Sequence, residues 1–368
     1  MSTQNEFHIA VLPGDGIGIE VMNACLEVLQ TLTKHVGGFQ LKADVLRGGA
    51  AHYRDTGTAL PDETLKRVPA ADAILFGAMG LPEVRTQEGT EINPQINLRM
   101  ELELYAGVRP VKAMATDSAV LADPRSAQID LVVIREQTEG MFTDFQQGRL
   151  ENDQAAIDRC VISRKGTERL IDFAFRLAER RHAEGKPGHV TCVDKANVMT
   201  SMAFFRKIFD ERCHAFPAAS AGHAYVDATA LDLVRQPWRF DVIVTENLFG
   251  DILSDLAAGL VGGLGMAPSG DIGDQHAMFQ PCHGTAPDIA GQGKANPTAM
   301  FLSAAMMLDW LGDRHGEAPC SAAGTHLRTV IEHGFASKRI RPIEFGGPDG
   351  TAAITQTVVD LVRTRSVT

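Results

Sequence analysis

Asp241–Asp255, DVIVTENLFGDILSD, is the stretch around which the chain is organised. DVIVT is apolar and β-branched, the composition of a central strand in a parallel sheet, and ENLFG turns it into a helix. That helix carries Asp251 and Asp255 four residues apart. Residues at this spacing share a helix face, so the two carboxylates can converge on one cation. The segment that follows, LAAGLVGGLGMA, is apolar, and two anions beside it are costly unless a cation or hydrogen bonds compensate them.

On either side of this stretch the chain alternates strand and helix. HIAVLPGDGIG, residues 8–18, reads as a strand and a glycine-rich turn, followed by a helix with apolar Val21, Met22, Cys25, Val28 and Leu29. GDGIG lacks the third glycine of the dinucleotide fingerprint, and no acidic residue follows at the proper strand end. It reads as a tight turn rather than a phosphate cradle. LKADVLRG, ADAILFGAMG, IDLVVIREQTEG and GHVTCVDKANV repeat the pattern, which makes the class α/β with a mainly parallel or mixed sheet. Glycine and proline mark four loops: 80–95, 184–188, 262–273 and 284–297. Long ordered loops in a compact α/β protein tend to bind ligands. PTAMFLSAAMMLDWLG and ITQTVVDLVRTR return to amphipathic helix.

A chain of 368 residues is long enough for about two domains and needs no disulfide or metal staple. Its six cysteines stand singly, with no CxxC pair, which points to a reduced, cytoplasmic setting. MSTQNEF runs into the first strand without a basic or apolar leader, and no apolar run reaches membrane-spanning length. A net charge of −11 disfavours nucleic acid, because phosphate binding needs clustered Lys and Arg. A small anionic substrate would need a local cluster of Arg, Lys and metal.

The sequence supplies candidates for such a cluster. Arg99 lies in INLRMELELY, and Arg109 (GVRPVK) and Arg135 (VVIREQTEG) close apolar runs. A guanidinium there meets either a bidentate anion or a structural glutamate such as Glu136 or Glu139. Lys195 follows a strand and precedes the helix NVMTSMAFFRKIF, the usual place for a site residue and equally for an exposed strand-end lysine. Asp227 ends the strand HAYVD, as a third carboxylate or a helix N-cap. Asp227, Asp251 and Asp255 form an all-oxygen set, which selects Mg²⁺ or Mn²⁺ over zinc.

In order, VLPGDGIG, LRMELELYAGVRPVK, IREQTEG, VDKANVM, YVDA, ENLFGDILSD and HGTAPDIAGQGKANP cover nearly the whole chain. Through them it resembles the β-decarboxylating dehydrogenases, the family of isocitrate, 3-isopropylmalate, homoisocitrate and tartrate/D-malate dehydrogenases. The resemblance implies a two-domain fold, a central mixed sheet flanked by helices, without a true Rossmann fold. Residues 1–104 and 257–368 would form the larger, cofactor-binding domain. Residues 105–256 would form a smaller domain with the metal ligands and the interface of a homodimer with shared active sites. Arg99, Arg109 and Arg135 would bind the carboxylates of a malate-type substrate, and Asp251 and Asp255 the metal. Lys195, the base, and Asp227 would reach in from the neighbouring subunit. The resemblance makes HGTAPDIAGQGKANP the cofactor loop, with His283, Gly284 and Asp288, whose carboxylate would accept from the ribose hydroxyls and repel a 2′-phosphate. Ile289 stands where NADP-using relatives carry basic or phenolic groups, and Asn296 would contact the adenine. NAD is the expected cofactor.

The chain also departs from that pattern. Phe142 stands where the family has a tyrosine that protonates the enolate, and a phenyl ring cannot donate that proton. Gln280, in FQPCHG, replaces a glutamate near the nicotinamide. Gln95 and Ile96, with Asn93 nearby, replace the leucine pair under the alkyl group of isopropylmalate; Val198 keeps one apolar wall, and Arg85 lies in the same loop. The expected activity is metal-dependent oxidation of an (R)-malate-type acid with NAD. The default substrate is 3-isopropylmalate, and the runner-up is tartrate or D-malate. Phe142 and Gln280 leave open a non-decarboxylating enzyme or a weakened regulatory paralogue.

Overall fold

The computed structural model describes residues 5–87, 89–114, 120–145 and 147–367; MSTQ, Glu88 of the 80–95 loop and Thr368 lie outside them. The chain begins β1 (Asn5–Gly14), α1 (Ile17–Val36), β2 (Phe39–Val45), α2 (Ala50–Thr56), α3 (Asp62–Arg67), β3 (Ala73–Ala78) and α4 (Pro94–Glu101). The middle runs β4 (Ala106–Lys112), β5 (Asp130–Glu136), β6 (Arg149–Glu151), β7 (Ala155–Ile157), α5 (Arg164–Ala183), β8 (His189–Asp194), α6 (Thr200–Cys213), β9 (Ser220–Tyr225), α7 (Val226–Arg235), β10 (Val242–Thr245) and α8 (Asn247–Leu260). It ends β11 (Pro268–Ile272), β12 (Ala277–Pro281), α9 (Thr298–His315), α10 (Ala318–Ala336) and α11 (Thr351–Thr364).

Ten strands form one mixed sheet in the order β2-β1-β3-β12-β11-β4-β5-β10-β8-β9. The pairs β12/β11, β11/β4 and β4/β5 are antiparallel, and the strands on both flanks pair in parallel. As DVIVT predicts, β10 sits inside the sheet between β5 and β8, with Val242, Ile243, Val244 and Thr245 all buried. On one face α1, α9, α10 and α11 cover the first half of the sheet, and α5 and α6 the second, joining one apolar core. On the other face α8 packs Leu253, Ala257 and Leu260 against Val133 and Ile243. No helix among the described residues is long and apolar enough to cross a membrane, and all six cysteines are free.

Two glycine-rich segments behave differently from each other. GDGIG is a packed turn whose donors are spent: Asp15 N donates to Ala78 O, Ile17 N to Thr285 O and Gly18 N to Asp15 O. A Cβ at Gly16 would stand 2.1 Å from Thr285 O, so the turn props the 284–297 loop instead of holding a phosphate. Residues 262–273, expected as a loop, contain the buried strand β11. Its small residues are a packing requirement, because a Cβ at Gly270 would already press on Phe279 at 3.0 Å.

Candidate active site

Antiparallel β4 and β5 bring Arg109 and Arg135 together, since Gly107 pairs with Arg135 and Arg109 with Val133. Helix α4 adds Arg99, and α8 adds Asp251 and Asp255. These five side chains line one cavity of about 260 Å³ with Gln95, Ile96, Phe142, Ser254, Gln280, Cys282, His283 and Gly284. That volume is on the scale of a small acid rather than a dinucleotide.

The start of α8 explains how Arg135 is placed. Glu246 caps the helix, accepting from Phe249 N (2.7 Å) and Leu248 N (3.1 Å), and this fixes Asn247 beside β5. Arg135 Nε and Nη2 both donate to Asn247 Oδ1, at 2.9 and 2.8 Å, and Nη1 reaches Asp251. A Cβ at Gly250 would lie 2.6 Å from Arg135 Cγ, so only glycine lets the guanidinium stem cross the helix. Burial, reinforced by neighbouring Arg99 and Arg109, pushes the Arg135 pKa down to about 10 despite Asp251.

Arg99 and Arg109 have a partner that pattern reading missed. Asp271 of β11 is fully buried and accepts from Arg99 Nε (2.8 Å), Arg109 Nη2 (3.1 Å) and Gln280 Nε2 (2.8 Å). Burial raises its pKa, but the two guanidinium groups outweigh this and hold the carboxyl below its ordinary value. The structural glutamates considered for Arg109 and Arg135 are engaged elsewhere. Glu136 accepts from Thr138 and Glu139 N, and Glu139 accepts from Ser163 N. The remaining N–H groups of Arg99 and Arg109 have no protein acceptor among the described residues, which leaves them for a ligand.

Asp255 opens to solvent, yet partial desolvation and the charge of Asp251 raise its carboxyl pKa. A carboxylate crowded in this way by a second one four residues away suits a hard cation. Among the described residues no group of three or more His, Cys, Asp or Glu side chains is arranged to hold a metal; Asp251 and Asp255 stand as a pair. Asp227 lies elsewhere: it is in the first turn of α7, and its carboxylate takes a 2.6 Å hydrogen bond from Lys195 Nζ, which lowers its pKa. Lys195 emerges after Asp194, which Arg206 grips through two 2.8 Å bonds, and Val198 is 71% exposed. Lys195, Asp227 and Val198 do not line the cavity.

The 284–297 loop continues from the cavity wall. His283 Nδ1 pairs with Gly284 O at 2.9 Å, leaving its buried Nε2 without a partner. Asp288 is exposed, and its carboxylate has no partner among the described residues. Ile289 packs on the core beside Ala290. Asn296 is buried, with its amide tied to Glu344 Oε2 (3.0 Å) and Thr298 Oγ1 (2.7 Å). Exposed Gly284, whose added Cβ would meet nothing, and the free carboxylate of Asp288 fit a dinucleotide ribose laid along the loop.

Comparison with known proteins agrees with this geometry. The isocitrate/isopropylmalate dehydrogenase family model matches residues 8–362. The chain is 44% identical over 313 residues to the 3-isopropylmalate dehydrogenase of Moorella thermoacetica, covering 83% of this chain and 85% of that one. It is 43% identical over 357 residues to the 3-isopropylmalate/3-methylmalate dehydrogenase of Methanocaldococcus jannaschii, covering 96% and 98%. Among solved structures, isocitrate dehydrogenase from Methylococcus capsulatus superposes with a TM-score of 0.84 at 36% identity, over 97% of this chain and all of the other. The chain is an α/β oxidoreductase that belongs to the isocitrate/isopropylmalate dehydrogenase family.

Proposed function

We propose that the protein oxidises an (R)-malate-type 2-hydroxy acid with NAD and a divalent metal, Mg²⁺ or Mn²⁺, with decarboxylation, and that 3-isopropylmalate is the default substrate. The observation that carries this is Arg99, Arg109 and Arg135 facing Asp251 and Asp255 across one small cavity. Cation and anion sites side by side fit a chelating hydroxy acid with further carboxylates. When bound, the metal would polarise the substrate's oxygens and NAD would take the hydride from C2. The arginines bind and orient the carboxylates. Lys195, from a second copy of the chain, removes the hydroxyl proton, and Asp227 from that copy completes the carboxylate set. Phe142 helps exclude water but holds no proton to give, so water or Lys195 must protonate C3.

A shared site requires a homodimer. The surface near Lys195 supports this: Val198, Leu231, Val234 and Ile252 are exposed apolar residues on or beside α6, α7 and α8. The β6/β7 hairpin exposes Leu150 and Ile157 as well. On this reading residues 1–104 with 257–368, and residues 105–256, are the two domains, with the β11/β4 pair joining them. The substituent pocket favours tartrate or D-malate as the second reading. Gln95 Nε2 donates to Asn93 Oδ1 at 3.3 Å, and its buried Oε1 has no donor. An isopropyl group would leave it so, at roughly 1–3 kcal/mol.

The test is a panel of 3-substituted malates with NAD and Mn²⁺, following NADH and CO₂ together. Turnover of 3-isopropylmalate with equal yields of both supports the default. Preference for tartrate or D-malate selects the second reading. Binding without any turnover would overturn the enzyme reading in favour of a regulatory paralogue.

A further inference from the structure

The glutamate expected near the nicotinamide is absent, yet its negative charge is not. Gln280 Nε2 donates to Asp271 Oδ2 at 2.8 Å, so the amide and the carboxylate share one hydrogen bond across β11 and β12. Exchanging the two groups, by Asp271→Asn together with Gln280→Glu, would keep both the bond and the single charge. What changes is which strand carries the charge, and in this chain it lies between Arg99 and Arg109.

We propose that Asp271 is the positioning residue of the substrate pocket: its buried carboxylate, backed by Gln280, holds Arg99 and Arg109 in the orientation that aligns the substrate for hydride transfer. This rests on the proposed reaction. Asp271 takes one N–H from each guanidinium, and the others have no acceptor among the described residues. Two consequences of removing the carboxylate oppose each other. Freed of their counter-ion, the arginines attract an anionic substrate at least as strongly; without their anchor, they hold it less well aligned. The first acts on KM and the second on kcat, and only the second belongs to a positioning residue.

The experiment compares wild type, Asp271→Asn, Gln280→Glu and the double variant Asp271→Asn/Gln280→Glu. Asp271→Asn is expected to lower kcat about 10- to 100-fold, the cost of a misplacement near 1 Å, without raising the substrate KM or the KM for NAD. The double variant should recover most of that loss, whereas Gln280→Glu alone sets two carboxylates together and should not improve on wild type. Nitrogen NMR of the arginine side chains supplies a reading free of turnover. Guanidinium signals protected from exchange in wild type should be lost in Asp271→Asn and return in the double variant. An unchanged kcat in Asp271→Asn at a temperature where it is folded, or a double variant that recovers neither kcat nor the signals, would overturn the proposal. Wild type that turns over no malate while the NMR pattern holds would instead overturn the proposed reaction alone.

Discussion

The cavity wall and the Lys195 edge are built from the same sheet yet reach opposite states. In the cavity, three cations and three carboxylates from β4, β5, α4, α8 and β11 converge, and each arginine keeps a partner. At the edge, Lys195 and Asp227 neutralise each other beside exposed Val198. This ammonium–carboxylate pair does not line the cavity of its own chain. On the proposed reading, the fold assembles the anion-binding half of a site and leaves the base half facing outward, for another copy to receive.

Complementation tests that division most directly. Asp251→Asn and Lys195→Ala should each lower turnover on the order of 10³-fold or more, as loss of a metal ligand or a base does. Refolded together, the two inactive proteins should recover about a quarter of wild-type activity, because half of random dimers are mixed and each has one intact site. No recovery would mean that Lys195 does not act across the interface, and would break the shared-site reading.

Behind the cavity wall, next to Arg135 on β5, lies a group whose pH signature is opposite in sign to that of Asp227. Burial pushes the Glu136 carboxyl up to about 7. A carboxyl raised in the folded state gives stability that is complete below its ordinary value and is lost as pH rises through about 7. Denaturant unfolding should therefore weaken by up to ~3 kcal/mol between pH 5 and 8 from this group, and Glu136→Gln should flatten that slope. Metal comes next: Mn²⁺ at 100 times its dissociation constant should stabilise the protein by about 2.7 kcal/mol. Chelator should reverse the rise in melting temperature, and Asp255→Asn should remove most of it. Smallest is Phe142→Tyr, expected to raise kcat a few-fold at most; no change would show that C3 protonation does not limit the reaction.

Much of the fold was legible because it rests on local pattern. DVIVT, HIAVL and IDLVVIRE are buried runs bounded by turns, and they form β10, β1 and β5. The segment 262–273 misled because glycine and proline signal loops, whereas here small residues let a central strand pack under Phe279 and Met306. The arginines were readable because a guanidinium closing an apolar strand demands a partner. Which partner was not readable: Asp271 lies 172 residues from Arg99 and 162 from Arg109, and no periodicity spans that distance. The missing glutamate at position 280 was visible, but only the register of β11 against β12 reveals the compensating carboxylate.

Helix α8 also sets a trap for anyone seeking a hardier protein. Replacing helix glycines with alanine is a standard way to raise melting temperature, worth about 0.4–1 kcal/mol where the backbone allows. Gly259, with open space around its missing Cβ, is a candidate for that gain. Gly250, nine residues earlier on the same helix, is the reverse: the added methyl would collide with the Arg135 stem, so the engineer's gain in one turn would disarm the pocket from another.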